Sequence, residues 1–142
     1  MPLISGIMVA TNRMLSITAD RIAETHRMIV AATALAILWA SAFLSAIIDN
    51  IPFVATMIPV IKSMAPTFGG PEGLLPLWWS LSLGACLGGN GTLIGASANL
   101  TVAGIAERAG IPFRFMTFLK LAFPMMLMSI VISMVYVWLR YL

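Results

Sequence analysis

Charge is what this sequence has least of. Of its 142 residues, 9% are charged and 61% are hydrophobic, whereas roughly a quarter of a typical soluble domain is charged. So little polar material cannot cover a water-facing surface, which excludes an ordinary soluble domain. The single cysteine, Cys86, excludes an internal disulfide; lying in an apolar run, it is expected to be a small buried side chain. The single histidine, His26, has no Cys or His partner at ligand spacing, so no metal site is expected beyond a sodium ion at the oxygen ligands named below. Nucleic-acid binding is not expected either. The net charge of +3 comes from residues flanking apolar runs, where they anchor and orient a membrane segment, and no basic run is interleaved with aromatics. No Ser/His/Asp or Cys/His set can be assembled, so the chain does not read as an enzyme. Its glycine cluster follows an apolar helix rather than a strand, and no lysine follows it, so it is neither a dinucleotide fingerprint nor a P-loop. Met1 to Ala10 is apolar but lacks the basic start of a secretory signal.

What is present is long uncharged stretches. No charged residue falls within 28–48, 73–106 or 121–139. A helix needs about 20 apolar residues to cross the hydrocarbon core, and all three stretches can supply them. The chain is therefore read as an all-α, multi-pass integral membrane protein of the cytoplasmic (plasma) membrane, with the lipid bilayer as its first partner.

Residues 1–27 divide into a short apolar stretch, read as part of a helix, and a polar interfacial segment from 13 to 27. Residues 28–65 read as a hairpin. An apolar helix ends at Asp49-Asn50-Ile51-Pro52, where Asp and Asn cap helices and Pro suits the first turn of the next. The second arm, 53–61, would be roughly 14 Å long, less than half the bilayer core. A re-entrant hairpin with Asp49-Asn50 at its tip is preferred over one full span ending at Asp49. Pro66, Gly69, Gly70, Pro71, Gly73 and Pro76 then make a loop. Residues 74–106 are too long for one straight crossing: the uncharged run would measure about 51 Å against a core of about 30 Å. Gly88-Gly89-Asn90-Gly91-Thr92 and Gly95-Ala96-Ser97-Ala98-Asn99 supply the interruption, so two half-helices with an unwound polar middle are expected. Residues 115–142 form a last span. Trp138 and Tyr141 at its end are expected to share one interface with Trp78 and Trp79. By the count of Arg108, Arg114 and Lys120 against Lys62 alone, the loop 107–120 would be cytoplasmic; Arg13, Arg21 and Arg27 point the other way.

Two interrupted apolar segments in succession, each polar at its break, point to a transporter binding site. Asp49 is the one acid within an apolar stretch, and such residues usually face a cavity and bind or carry a charge. Asn50 adds a carbonyl oxygen and an amide. Thr56 can face the same cavity or bond to its own helix, with equal weight. Asn90, Thr92, Ser97 and Asn99 offer neutral oxygens suited to a hard cation such as sodium, and unwound carbonyls at Gly89 and Gly91 can complete the shell. The simpler explanation of the glycines is close helix packing at Gly84-xxx-Gly88 and Gly91-xxx-Gly95, but packing does not explain two asparagines.

The two segments resemble the paired signatures of the ion transporter superfamily, carried here by Ser45-Ala-Ile-Ile-Asp-Asn-Ile-Pro-Phe-Val-Ala-Thr-Met-Ile-Pro59 and Leu87-Gly-Gly-Asn-Gly-Thr-Leu-Ile-Gly-Ala-Ser-Ala-Asn99. The chain is most similar to the branch holding arsenite permeases, NhaD-type antiporters, P proteins and citrate-transporter-like proteins, from about residue 30 onward. The resemblance implies two inverted repeats, each with a re-entrant hairpin and a broken helix meeting at a central site. This chain would hold the C-terminal repeat and half of the site, the missing N-terminal repeat being its partner; a homodimer is a further expected assembly. It implies transport of an ion or small anion, coupled to sodium or protons, with no bound cofactor. Where dicarboxylate-transporting relatives carry Ser-Asn-Thr at the hairpin tip, this chain has Asp49-Asn50-Ile51. The added negative charge disfavours a dicarboxylate and favours a cation, a proton or a neutral oxyacid such as arsenite. The competing expectation is a non-transporting membrane assembly subunit whose polar breaks serve packing.

Overall fold

The computed structural model describes residues 2–142, with side chains described for Met8 and for residues 11–142. Among these residues all regular structure is helical: α1 (Pro2–Ser45), α2 (Asn50–Ser63), α3 (Leu75–Gly88), α4 (Ser97–Arg108) and α5 (Phe115–Tyr141), with 3₁₀ turns at Glu72–Leu74 and Gly89–Gly91. Two helices are long and apolar enough to cross a membrane, Thr11–Ser45 within α1 and all of α5.

The N-terminal part differs from the sequence expectation. There is no boundary between a partial helix, an interfacial segment and a first hairpin arm, because α1 runs unbroken for 44 residues. Between Gly6 and Pro52 the chain has neither glycine nor proline. Three hydroxyls in the polar half of α1 are folded back into the helix: Ser16 donates to the Arg13 carbonyl (2.9 Å), Thr18 to Met14 (2.9 Å) and Thr25 to Arg21 (2.8 Å). The change near residue 27 is one of polarity, not of backbone.

α1 ends where its last turn tightens, with Ile47 and Ile48 N–H both donating to the Leu44 carbonyl (3.1 and 2.8 Å). Asp49 is extended (φ −50°, ψ 134°) and caps α2 by accepting from Ile51 N–H at 3.2 Å. Pro52 sits in the first turn of α2, where no N–H is needed. The chain then doubles back until the Phe68 ring lies 6.5 Å from that of His26, a return of about 29 Å along α1.

α1 and α3 pack in parallel. The buried stripe of α1 is Ala34, Leu38, Ser41, Ala42, Ser45 and Ala46, spaced to fall on one face. It meets α3 at Gly84 and Gly88, where the backbones approach so closely that an added Cβ would lie 2.4 Å from the Leu38 carbonyl oxygen and 2.3 Å from that of Ala42. The packing role expected for the Gly84–Gly88 pair is therefore real. Cys86 falls off this face and is exposed, contrary to the expectation of burial. α5 runs antiparallel to α3. Trp79 stacks on Tyr141 at 5.7 Å, so the aromatic ends of the two helices meet, and Gly91 lies against Met126 at the other end of the contact. One apolar cluster joins Ala34 of α1, Phe53 and Ile61 of α2, and Leu77, Leu81 and Ala85 of α3; a second joins Leu38, Ala42 and Ala46 of α1 to Met126 and Ile130 of α5.

Candidate functional site

The turn between α1 and α2 lies directly against the interruption between α3 and α4, and hydrogen bonds fasten the two together. The Thr92 hydroxyl donates to the Ala46 carbonyl and accepts from Gly95 N–H at 3.0 Å. The Ser45 hydroxyl, fully buried, donates to the Ala85 carbonyl at 2.7 Å. Gly95 is enclosed by carbonyl oxygens: a Cβ there would sit 2.8 Å from Gly89 O, 2.9 Å from Ser45 O and 3.0 Å from Ala46 O. No other residue fits.

The interruption follows from its residues. α3 ends in the glycine-rich 3₁₀ turn Gly89–Gly91, and Thr92 (φ −135°, ψ 163°) takes the chain into extended backbone. Extended backbone leaves carbonyls without helical partners. Asn99, on the first turn of α4, supplies them: its Nδ2 donates to the carbonyls of Gly89 (3.1 Å) and Thr92 (3.0 Å). With both amide hydrogens directed at carbonyls, Oδ1 is left as an acceptor.

The predicted site residues are not all brought together. Thr92, Asn99, Gly89 and Gly91 form the fastened junction, with both glycines buried and Gly91 covered by Met126. Asp49 and Asn50 are half-buried at the turn that this junction holds. Asn90 is exposed, its Nδ2 reaching back 3.4 Å to the Cys86 carbonyl. Ser97 is exposed at the start of α4, and its carbonyl accepts from Thr101 at 3.0 Å. Thr56 donates to the Phe53 carbonyl of its own helix at 2.7 Å, the intrahelical alternative. Among the described residues no hydrogen bond joins Asp49, Asn50 or Thr56 to residues 89–99. Sequence reasoning did not assign Ser45 or the Ala46 carbonyl to the site, and it read Gly95 only as part of the interruption and of close helix packing. Ser45 was detectable, since it lies one turn before Asp49 on the buried stripe.

Two helices begin at the two breaks, α2 at the turn and α4 after the interruption. Each N-terminus carries a partial positive charge. The α2 end is capped by the Asp49 carboxylate, whereas Ala96 at the α4 end contributes no side-chain cap. The site thus offers one carboxylate, several neutral oxygens and one uncapped helix end.

α5 gives the depth of this junction. Met126, which covers Gly91, lies about 17 Å from the start of α5 and about 23 Å from its end. The junction therefore sits near the middle of a helix long enough to cross a bilayer.

A family profile described as citrate transporter matches residues 1–84, which takes in α1, α2 and the first part of α3. The P protein of Mus musculus is 56% identical over 108 residues, 75% of this chain and 13% of that protein. The P protein of Homo sapiens is 52% identical over 115 residues, 80% of this chain and 13% of that protein. An uncharacterised transporter of Mycobacterium bovis is 47% identical over 112 residues, 79% of this chain and 26% of that protein. The chain thus spans between 13% and 26% of the length of these relatives. No solved structure matches it. These relatives agree with the likeness to the ion transporter superfamily, and the chain is an integral membrane protein that belongs to the citrate transporter family.

Proposed function

We propose that this chain carries one half of the substrate and ion site of a secondary transporter, which moves an ion or small anion by alternating access. The observation that carries this reading is the docking of the α1–α2 turn on the α3–α4 interruption at mid-height of α5. Irregular backbone at such a depth is tolerated only where it is buried in protein or lines a watery cavity, and half-helix ends at the midplane are where transporters bind their cargo. On this reading α1 and α2 form a re-entrant hairpin, and α3 and α4 are the halves of one broken span. Asp49, Asn50, Asn90, Ser97 and the free oxygen of Asn99 face the cargo, while Thr92, Gly89 and Gly91 hold the frame. A second, inverted repeat supplies the remaining ligands, and the loop between α4 and α5 is cytoplasmic. Transport is coupled to sodium or protons. The Asp49 carboxylate beside the α2 N-terminus disfavours a multiply charged anion and favours a cation, a proton or a neutral oxyacid.

The test is uptake into vesicles containing the protein, with Asp49→Asn and Asn90→Ala compared with the parent at matched amounts in the membrane. Both variants are expected to reach the membrane and to lose at least tenfold of the transport rate. Parental rates in both would overturn the site assignment. Loss of protein from the membrane, with normal transport per molecule, would mean that the polar breaks serve packing alone.

A further inference from the structure

The first half of α5 and the loop before it line an open groove of about 610 Å³ that the junction does not use. Its walls are apolar: Ile111, Phe113, Phe118, Leu121 and Met125 among them, with the Phe113 and Phe118 rings 5.7 Å apart. The α5 positions involved, 117, 118, 121, 122 and 125, recur every three or four residues and so form one continuous stripe along the helix. Arg114, at the N-terminal end of α5, also lines the groove. It is exposed and forms no ion pair among the described residues. The surrounding loop is cationic, with Arg108, Arg114 and Lys120 against Glu107. No residue of α4 lines the groove.

Depth decides what fits. Arg114 lies just beyond Phe115, about 18 Å along the axis from Met126, which is near the middle of α5, and half a hydrocarbon core is about 15 Å. The guanidinium is therefore at the level where lipid phosphates begin. From Arg114 the groove descends about 16 Å to Met125, the depth of one leaflet. It is an apolar slot one acyl chain deep with an unpaired cation at its headgroup end.

We infer that this groove seats an acyl chain of an anionic phospholipid, with the lipid phosphate held by Arg114. The inference rests on α5 crossing the membrane and not on the transport reading. A peptide or a neighbouring protein segment would need no cation at that depth, whereas an anionic headgroup does.

The experiment places a reporter in the groove, Phe118→Trp, in protein reconstituted into nanodiscs of phosphatidylcholine. Chain-brominated phosphatidylglycerol or chain-brominated phosphatidylcholine is then added in increasing fraction. Quenching of the four native tryptophans, measured in the parent, is subtracted. The reporter is expected to be quenched at a lower fraction of the anionic lipid than of the zwitterionic one. Arg114→Gln should shift the anionic half-quenching point upward about fivefold. Equal quenching by the two lipids, indifference to Arg114→Gln, or a reporter that neither lipid reaches because protein covers the groove would each overturn the inference. Should Phe118→Trp fail to fold, native mass spectrometry of parent and Arg114→Gln decides it by the number of phosphatidylglycerol molecules each retains, with equal retention counting against.

Discussion

At Gly84, Gly88 and Gly95 the side chain that is missing does the structural work. A methyl at Gly88 would meet backbone, not a flexible side-chain tip, so no rotamer change can relieve it. Gly88→Ala is expected to destabilise the protein by about 1–3 kcal/mol in thermal unfolding in detergent. Gly104→Ala, in a helix with open space around it, should be neutral or stabilising by up to about 1 kcal/mol. Equal effects at the two sites would contradict the close α1–α3 approach. Thr92 joins the two breaks through one hydroxyl that both donates and accepts. Thr92→Val should lower stability by about 1–3 kcal/mol because it leaves the Ala46 carbonyl and Gly95 N–H unpaired, and Thr92→Ser should recover most of that. A valine variant as stable as the parent would remove Thr92 from the fastening. Which polar residues would matter was only half legible in the sequence. Thr56 and Thr92 look alike there, and only packing decides that one turns into its own helix while the other bridges two segments.

At the scale of the element, the interruption between α3 and α4 was fully readable. An uncharged run too long for one straight crossing, with glycines and asparagines at its centre, cannot stay helical. The long α1 was not readable in the same way. Polarity suggested a boundary near residue 27, but backbone conformation follows glycine, proline and capping rather than charge, and none of these intervenes before Asp49. Asn99 shows how an element can depend on one side chain, since among the described residues its side chain ties the first turn of α4 to the carbonyls of Gly89 and Thr92. Asn99→Ala should speed amide hydrogen exchange across residues 92–99 while leaving the α1–α3 contact protected. Asn99→Asp should act more strongly, because a carboxylate cannot donate to either carbonyl. Unchanged exchange in both variants would show that the junction holds without it.

At the scale of the whole molecule, the fold makes two kinds of exposed surface that composition cannot distinguish. The outer face of α5 is apolar and exposed, with Ile132, Val135 and Leu139, as a helix facing lipid would be. The exposed side of α3 near the break, with Cys86 and Asn90, faces the proposed cavity. A charged, membrane-impermeant maleimide should therefore label Cys86 in the parent. It should leave Ile132→Cys in a Cys86→Ser background unlabelled, and cargo should slow the Cys86 reaction. Protection of Cys86 from the reagent would place that face against lipid or protein and argue against a watery path.

The unbroken α1 has a mechanical consequence. A rod with no hinge between Gly6 and the turn at Asp49 cannot absorb motion at its inner end. A tilt of about 10° pivoting at Ser45 would sweep Thr11 through roughly 9 Å. The polar outer half of the helix would then act as a lever, turning small shifts of the turn near the midplane into displacements large enough for a pair of spin labels to register.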